Sequence, residues 1–106
     1  SALTGSAALA YDVSGKMVII SGHQKASSIE MTDSINLLLA YAFDTLGANR
    51  VWLDVKEYNY SAQSLYKYLG FAQEGLLREA VFHNGKYDSI YIMAILKKDY
   101  LKQKKN

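Results

Sequence analysis

The stretch NYSAQSLYKYLGF, from Asn59 to Phe71, decides the fold because it predicts one complete helix with a marked beginning and end. Asn59 stands where a helix N-cap belongs, since its side-chain oxygen can accept a hydrogen bond from a free backbone N–H. Gly70 is placed to end the helix just after Leu69. Helical spacing puts four residues on one largely apolar face: Ala62, Leu65, Tyr66 and Leu69.

A strand is predicted before this helix and two more after it. The segment RVWLDVK, Arg50–Lys56, alternates apolar residues with a mixed set, and both faces carry apolar or aromatic side chains. This pattern predicts a central strand that is partly buried on both sides. The segment GLLREAVFHNGKYDSIYIMAIL, residues 75–96, predicts two strands around Asn84-Gly85, because both positions of an Asn-Gly turn tolerate a positive φ.

The first half of the chain predicts a short hairpin and a long helix. Two apolar runs, residues 8–13 and 16–21, flank Ser14-Gly15, which is typical of a β-hairpin. Ser27 with Glu30 forms a capping-box pattern, and Thr32-Asp33 is an alternative start for the helix. An apolar stripe with a period of 3.6 follows, and Gly47 is placed to end it: Ile35, Leu38, Leu39, Ala42, Phe43 and Leu46. The element order predicts an α/β (α+β) fold with a mixed β-sheet and two main helices.

Composition excludes several classes of site. The chain has 106 residues, which is enough for one small domain. It has no Cys, so disulfides, thiolate metal ligands and a cysteine nucleophile are excluded. With two His residues, His23 and His83, no metal site is expected. No apolar run approaches the roughly 20 residues of a membrane span, and the start SALTGSAALAYDV lacks the basic residues of a signal peptide, so a cytoplasmic protein is expected.

The net charge of +2 comes from the C-terminal end. The segment KKDYLKQKKN, residues 97–106, holds 5 Lys and 1 Asp, whereas the rest of the chain holds 7 basic and 9 acidic residues. The sequence therefore predicts a solvated basic tail, and neither nucleic acid nor a membrane surface is an expected partner.

The second half of the chain resembles a known enzyme family. Residues 59–71 match the pattern N-x-x-A-x-x-L-Y-x-x-x-G-F at every specified position. Over residues 37–100 the chain resembles the C-terminal half of the GNAT superfamily of acyl-CoA-dependent N-acetyltransferases, and within it the branch that acetylates ribosomal-protein N-termini, together with related small-molecule acetyltransferases. Further matching positions are Tyr41, Ala42, Phe43, Leu46, Gly47, Asn49, Arg50, Leu53, Val55, Glu74, Gly75, Arg78, Glu79, Gly85, Tyr87, Asp88, Met93, Ile95 and Leu96.

The resemblance implies transfer of an acetyl group from acetyl-CoA to an amine, with Tyr66 as the acid that protonates the leaving thiolate. A phenol with an ordinary pKa near 10 is protonated at neutral pH and can act as an acid. The cofactor contacts that the resemblance implies are Asn59, Ala62, Tyr66 and Val55, while backbone N–H groups of the strand at residues 50–56 would polarise the carbonyl. Glu57 and Asp54 are candidates for the general base by position, and each is also readily interpreted as a solvated carboxylate at a strand end.

The chain departs from the family at the expected phosphate-binding loop. That loop should occupy Ala26–Met31, where the sequence ASSIEM has no glycine and carries Glu30; Gln24 with Ser27 is a shifted partial match. The strand and helices that build the acceptor side in the family are also missing before the long helix. A second hypothesis is therefore a catalytically inactive GNAT-like module for binding or assembly. In either case the apolar surface left open predicts a homodimer or larger assembly.

Overall fold

The computed structural model describes residues 8–13, 16–21 and 28–104, and it describes side chains from Thr32 to Lys104. Five strands form one sheet: β1 (Ala8–Val13), β2 (Lys16–Ser21), β3 (Arg50–Lys56), β4 (Ala72–His83) and β5 (Lys86–Leu96). Three α-helices accompany the sheet: α1 (Ser28–Ala40), α2 (Tyr60–Tyr68) and α3 (Lys97–Lys104). The predicted α/β (α+β) class is confirmed. No helix in the described part of the chain is long and apolar enough to cross a membrane.

The strand order is β2-β1-β3-β5-β4, so β3 is the central strand, as its two apolar faces predict. All neighbouring strands in the described residues pair antiparallel. β3 and β4, which α2 joins, do run in the same direction, but β5 lies between them. The sheet, expected to be mixed, is therefore antiparallel between all neighbouring strands of the described residues, because the Asn84-Gly85 turn folds β5 back along β4 and β5 then pairs with β3.

The turns that connect these elements follow the sequence signals. Asn84 and Gly85 have φ angles of 49° and 78°, the combination that a two-residue hairpin with the right-handed strand twist requires. Gly70 has a φ of 107° where α2 ends, and a Cβ at this position would lie 1.9 Å from Nε2 of Gln103. A side chain at residue 70 would therefore be strained by the positive φ, and the side chain of Gln103 would have to move.

The core lies between one face of the sheet and the three helices. Val51, Leu53 and Val55 of β3 point into it, and β5 contributes Met93 and Ile95 from the facing positions. The helices and the residues that directly follow them supply the rest of the buried cluster: Ile35, Leu39, Ala42, Phe43, Ala48, Ala62, Tyr66, Leu69, Phe71 and Tyr100. The apolar stripes read from the sequence are the buried faces of the helices.

The long first helix changes its geometry near its end. α1 runs directly into a π-helical turn, Tyr41–Thr45, in which the N–H of Leu46 donates to the carbonyl of Tyr41 at 2.9 Å. The periodic stripe predicted one regular α-helix as far as Gly47. The extra residue in the π turn still leaves Ala42 and Phe43 buried. The predicted cap at Ser27 lies outside the described residues.

The basic C-terminal segment is a docked helix and not the solvated tail that its charge predicted. Tyr100 of α3 is 9% exposed, and its ring stacks on Phe43 with ring centres 4.9 Å apart. Its hydroxyl donates to Oδ2 of Asp44 at 2.9 Å, and Nζ of Lys104 reaches the same oxygen at 3.0 Å. The buried tyrosine anchors the helix while the lysines remain on its solvated side.

Candidate functional site

The entrance of α2 is built as its sequence predicts. Oδ1 of Asn59 accepts a hydrogen bond from the backbone N–H of Ala62 at 3.2 Å, so Asn59 is the N-cap. The hydroxyl of Ser61 lies 3.4 Å from the same oxygen. The side-chain oxygen of Asn59 is thus committed to the helix, and this fixes the direction in which α2 leaves β3.

Gln63 ties the first turn of α2 to the end of β3, a contact that sequence reasoning missed. Its side chain is 9% exposed, and its Nε2 donates to the carbonyl oxygens of Lys56 at 3.1 Å and Glu57 at 2.8 Å. The backbone N–H of Asn59 also donates to the carbonyl of Lys56 at 3.0 Å. The strand end and the helix start therefore form one hydrogen-bonded corner. A glutamine in a helix carries no local sequence signal for such a contact.

Tyr66 lies at the centre of the core, directly under the sheet. Its side chain is fully buried, and its ring centre is 5.8 Å from that of Phe71. Burial raises the pKa of the Tyr66 phenol well above its ordinary value, and the negative charge of Asp54 raises it further. The hydroxyl is therefore protonated throughout the physiological range and can act only as a donor of its proton.

Val55 and Ala62, two further residues expected at the cofactor, are also in this cluster. Each is 3% exposed and packs in the same core as Tyr66. The structure thus brings Val55, Ala62 and Tyr66 together and places Asn59 at the helix entrance beside them. Any contact that Val55 makes with a ligand runs through its backbone, because its side chain faces the core.

Half of β3 is open along one edge. In the described pairing, β1 contacts β3 only at Val51–Leu53, whereas β5 pairs with β3 along its whole length, from Arg50 to Lys56. Backbone groups of residues 54–56 that point away from β5 therefore have no strand partner in the described part of the chain. An extended ligand can hydrogen-bond to such groups as an added strand would.

Asp54 lies on this open half of β3 and has an unusual environment. Its Oδ1 is buried and accepts no hydrogen bond from the residues that the structure describes. Burial raises the pKa of the Asp54 carboxyl above its ordinary value, and a backbone hydrogen bond only partly opposes this effect. A buried carboxylate oxygen without a partner is costly, so this residue is a stronger candidate for function than its position in the sequence indicated.

Asp88, on the neighbouring strand β5, has the opposite environment. Its Oδ2 accepts a hydrogen bond from the hydroxyl of Tyr58 at 3.1 Å and lies 3.3 Å from Nζ of Lys56. Burial alone would raise the pKa of the Asp88 carboxyl, but the bonds from Lys56 and Tyr58 outweigh it and hold the pKa below its ordinary value. The lysine nearest to Asp54 along β3 is thereby bound elsewhere.

A groove opens where β4 bulges away from β5. The pairing register shifts between Leu77 and Val81, and Glu79 has a φ of 48° with its backbone N–H donating to Oγ of Ser89 at 2.9 Å. The groove is open and has a volume of about 790 Å³. Its lining residues are Glu57, Leu76, Leu77, Arg78, Glu79, Ala80 and Ser89. Glu57, the other candidate base, is therefore at a groove next to the α2 entrance and not simply at a solvated strand end.

Two further features of the sequence analysis concern metal and phosphate binding. In the part of the chain that the structure describes, no group of three or more His, Asp or Glu side chains is arranged to hold a metal ion. Residues 26 and 27 of the expected phosphate loop, with Gln24, lie outside the described residues, and residues 28–31 form the first turn of α1.

Comparison with known proteins supports the resemblance seen in the sequence. The model of the acetyltransferase (GNAT) family matches residues 31–71, which include β3 and α2. The chain is 40% identical over 67 residues to a spermidine N(1)-acetyltransferase of Vibrio cholerae, and the match covers 63% of this chain and 39% of that protein.

Solved structures are similar in fold over most of the chain. A spermidine N-acetyltransferase of Vibrio cholerae in complex with CoA and spermine has a TM-score of 0.68 and 36% identity, and the match covers 80% of this chain and 50% of that one. A dodecameric structure of spermidine N-acetyltransferase from the same organism has a TM-score of 0.70 and 34% identity, covering 83% and 50%. The chain spans about half the length of these relatives. Residues 31–71 of the chain thus match the acetyltransferase (GNAT) family, and the fold is similar to that of solved spermidine N-acetyltransferases.

Proposed function

We propose that the chain carries the acetyl-transfer site of an acetyl-CoA-dependent N-acetyltransferase that acts on a primary amine. The observation that supports this most directly is the position of Tyr66, a buried and protonated phenol in the same core as Val55, which belongs to the open half of β3. Attack of an amine on a thioester needs a polarised carbonyl and a proton for the departing thiolate. Backbone N–H groups at a strand edge can polarise the carbonyl, and a nearby phenol can donate the proton.

Different residues of the chain polarise the carbonyl and protonate the thiolate. Backbone N–H groups at residues 54–56 that have no strand partner donate to the thioester carbonyl, and Tyr66 donates its proton to the leaving sulfur. Asn59 and Gln63 hold the start of α2 against the end of β3, and this keeps Tyr66 in register with that edge. Tyr66 is fully buried, so the residues that cover it must separate when the thioester binds.

For the acceptor we propose a polyamine in preference to a ribosomal-protein N-terminus, the substrate of the branch that the sequence pattern resembles. Glu57 and Glu79 both line the groove at the α2 entrance, and two carboxylates suit an amine that carries more than one positive charge. Arg78 also lines the groove, and its positive charge offsets part of the negative charge of the two glutamates. The names of the relatives, spermidine acetyltransferases, support the same choice.

We further propose a homo-oligomer located in the cytoplasm. Four apolar or aromatic side chains of the β4–β5 hairpin are between 43% and 63% exposed, and a second copy would cover them: Leu76, Leu77, Phe82 and Tyr87. The dodecamer formed by a relative supports assembly as a property of this kind of protein. Light scattering at high concentration tests it, and a monomer contradicts it.

The activity is tested by supplying acetyl-CoA with either spermidine or a short peptide that begins with Ala, and measuring release of free thiol. We expect thiol release with spermidine and little with the peptide. A reversed preference supports the ribosomal branch. No release with either amine, together with no heat of acetyl-CoA binding in a calorimetric titration, supports the inactive module instead, and the loop without glycines at Ala26–Met31 would be its first explanation.

A further inference from the structure

Tyr66 and Asp54 lie on opposite faces of the sheet at β3. Side chains alternate along a strand, and Leu53 and Val55 point into the core that contains Tyr66. Asp54, between them, points to the other face, where its partner across the ladder is Ile92 of β5. An acyl group held at the edge of β3 would therefore have the phenol on one side and the carboxylate on the other.

The surroundings of Asp54 leave its carboxylate available to a ligand. On its own face of β3 the neighbours are Trp52 and Lys56, and Nζ of Lys56 is bound to Asp88. From β5 the facing residue is the apolar Ile92. On the helical side, the charge of Asp54 raises the pKa of Tyr66, which is neutral. No group of the described residues donates a hydrogen bond to the buried Oδ1 of Asp54.

We propose that Asp54 is the general base of the reaction and removes a proton from the acceptor ammonium before the amine attacks. This inference rests on the proposed function. The C–N bond forms as the C–S bond breaks, and the nitrogen loses two protons in all. Asp54 takes the first and releases it to solvent. The second returns to the phenol oxygen of Tyr66, which has given its own proton to the sulfur.

The charge interaction between Asp54 and Tyr66 favours the assignment of Asp54 as the base and Tyr66 as the acid. While Asp54 is ionised, its charge opposes loss of the proton from Tyr66. When Asp54 has accepted the proton of the ammonium, that opposition disappears, and Tyr66 becomes a better acid at the stage when the thiolate leaves. Taking the proton from the amine therefore prepares the phenol to give its own.

Glu57 is the competing candidate, but its environment differs. It is exposed and lines the open groove, where water solvates its carboxylate. The Oδ1 of Asp54, in contrast, is buried. Glu57 suits attraction of a distant charge of the acceptor better than removal of the reacting proton.

The test compares two amines in the wild-type chain, Asp54→Asn, Glu57→Gln and Asp99→Asn. Spermidine is an alkylammonium at pH 7 and needs a base, whereas an aromatic amine with a low pKa is already neutral. We expect Asp54→Asn to lower kcat/KM for spermidine by about 10²–10⁴-fold and to leave the aromatic amine within a few-fold. The loss should shrink as the pH approaches the pKa of the alkylamine, near 10. Asp99→Asn, which removes a carboxylate of α3, should change neither rate.

Thermal unfolding separates a base from a structural residue. Because Oδ1 of Asp54 has no partner, Asp54→Asn should melt at the wild-type temperature or above it. A lower melting temperature would show that the carboxylate holds the fold and would overturn the proposal. Asp54→Glu, which keeps the carboxylate, should recover part of the rate with spermidine.

The kinetic outcomes separate this proposal from the proposed function. A wild type that acetylates spermidine equally well after Asp54→Asn overturns Asp54 as the base and leaves the function standing. Equal losses with both amines would show a positioning role, and an amine-selective loss in Glu57→Gln alone would assign the base to Glu57. A wild type that transfers acetyl to neither amine overturns both proposals.

Discussion

Two tyrosine–aspartate pairs flank the central strands, and they differ in how the charge is held. In the first, Tyr58 donates to Asp88 at 3.1 Å and Lys56 completes the site at 3.3 Å. In the second, the charge of Asp54 acts on Tyr66, while its buried Oδ1 accepts no bond from the described residues. The carboxylate of Asp88 thus contacts a cation and a phenol, whereas the Oδ1 of Asp54, one strand away, contacts neither among the described residues.

This difference separates a pair that stabilises the fold from a pair that can take part in the reaction. A buried carboxylate that is ion-paired and hydrogen-bonded is already satisfied and has no free capacity for a ligand. A buried carboxylate oxygen without a partner destabilises the protein unless a ligand uses it, and such local costs are typical of functional sites. We therefore interpret Tyr58–Asp88 as a structural pair that holds the strand ends together and Tyr66–Asp54 as the reactive pair.

The largest expected effect separates the two tyrosines. Tyr66→Phe keeps the ring and its packing but removes the hydroxyl, so kcat should fall by about 10²–10⁴-fold, the usual contribution of a general acid. Tyr58→Phe removes one hydrogen bond to Asp88 and should leave kcat unchanged. Steady-state rates of thiol release measure both variants.

The matched control on α2 itself is Tyr68→Phe. Tyr68 is 81% exposed, whereas Tyr66 is fully buried two residues earlier, so loss of the Tyr68 hydroxyl should not alter turnover. An active wild type whose rate is the same in Tyr66→Phe would make Tyr66 a packing residue and remove the functional difference between the two pairs.

The second prediction separates the two aspartates by stability at pH 7. Asp88→Asn leaves Nζ of Lys56 without its carboxylate, on a side chain that is only 15% exposed, so the melting temperature should fall by several degrees. Asp54→Asn removes a buried charge that has no counter-ion and should not lower it. Circular dichroism melts check both, and a comparable fall in the two variants would refute the division into structural and reactive pairs.

The third prediction concerns α2, which carries Tyr66 of the reactive pair and neither residue of the Tyr58–Asp88 pair. Asn59→Ala removes the N-cap of α2 and should cost about 1 kcal/mol in the free energy of unfolding. Turnover should fall with it, because α2 carries Tyr66, but the carboxyl NMR signal of Asp88 should stay in place. Ser61→Ala, which alters only the 3.4 Å contact to the cap, is the milder control. A shift of the Asp88 signal in Asn59→Ala would mean that α2 positions both pairs.

The smallest expected effect is on the pKa values of the two aspartates, which are shifted in opposite directions. Asp88 has a lowered pKa, so its contribution to stability is present above the ordinary value of 3.8 and is lost as the pH falls through the lowered value. Asp54 has a raised pKa, so its contribution is present below 3.8 and is lost as the pH rises through the raised value. Carboxyl NMR titration should place Asp88 below 3.8 and Asp54 above it. The reverse order would contradict the assignment.

Much of the local structure could be predicted from the sequence because its signals act over a few residues. The alternation in Arg50–Lys56, the cap at Asn59 and the turn at Asn84-Gly85 each depend on neighbours within one turn or one hairpin. The pattern around Tyr66 likewise lies on a single helix. Those features appear in the structure where the sequence places them.

The strands, the two main helices and the place of Tyr66 on a buried face follow from the sequence alone, because their signals are local. The helix α3 and the pairing of charges depend on contacts between distant segments. Lys56 and Asp88 are far apart in the chain and meet only because β5 pairs with β3. Tyr100 and Asp44 meet only because α3 docks on the end of the first helix. A carboxylate in a sequence shows its charge but not its partners. Only the packing of distant segments could therefore satisfy Asp88 and leave the Oδ1 of Asp54 without a donor among the described residues.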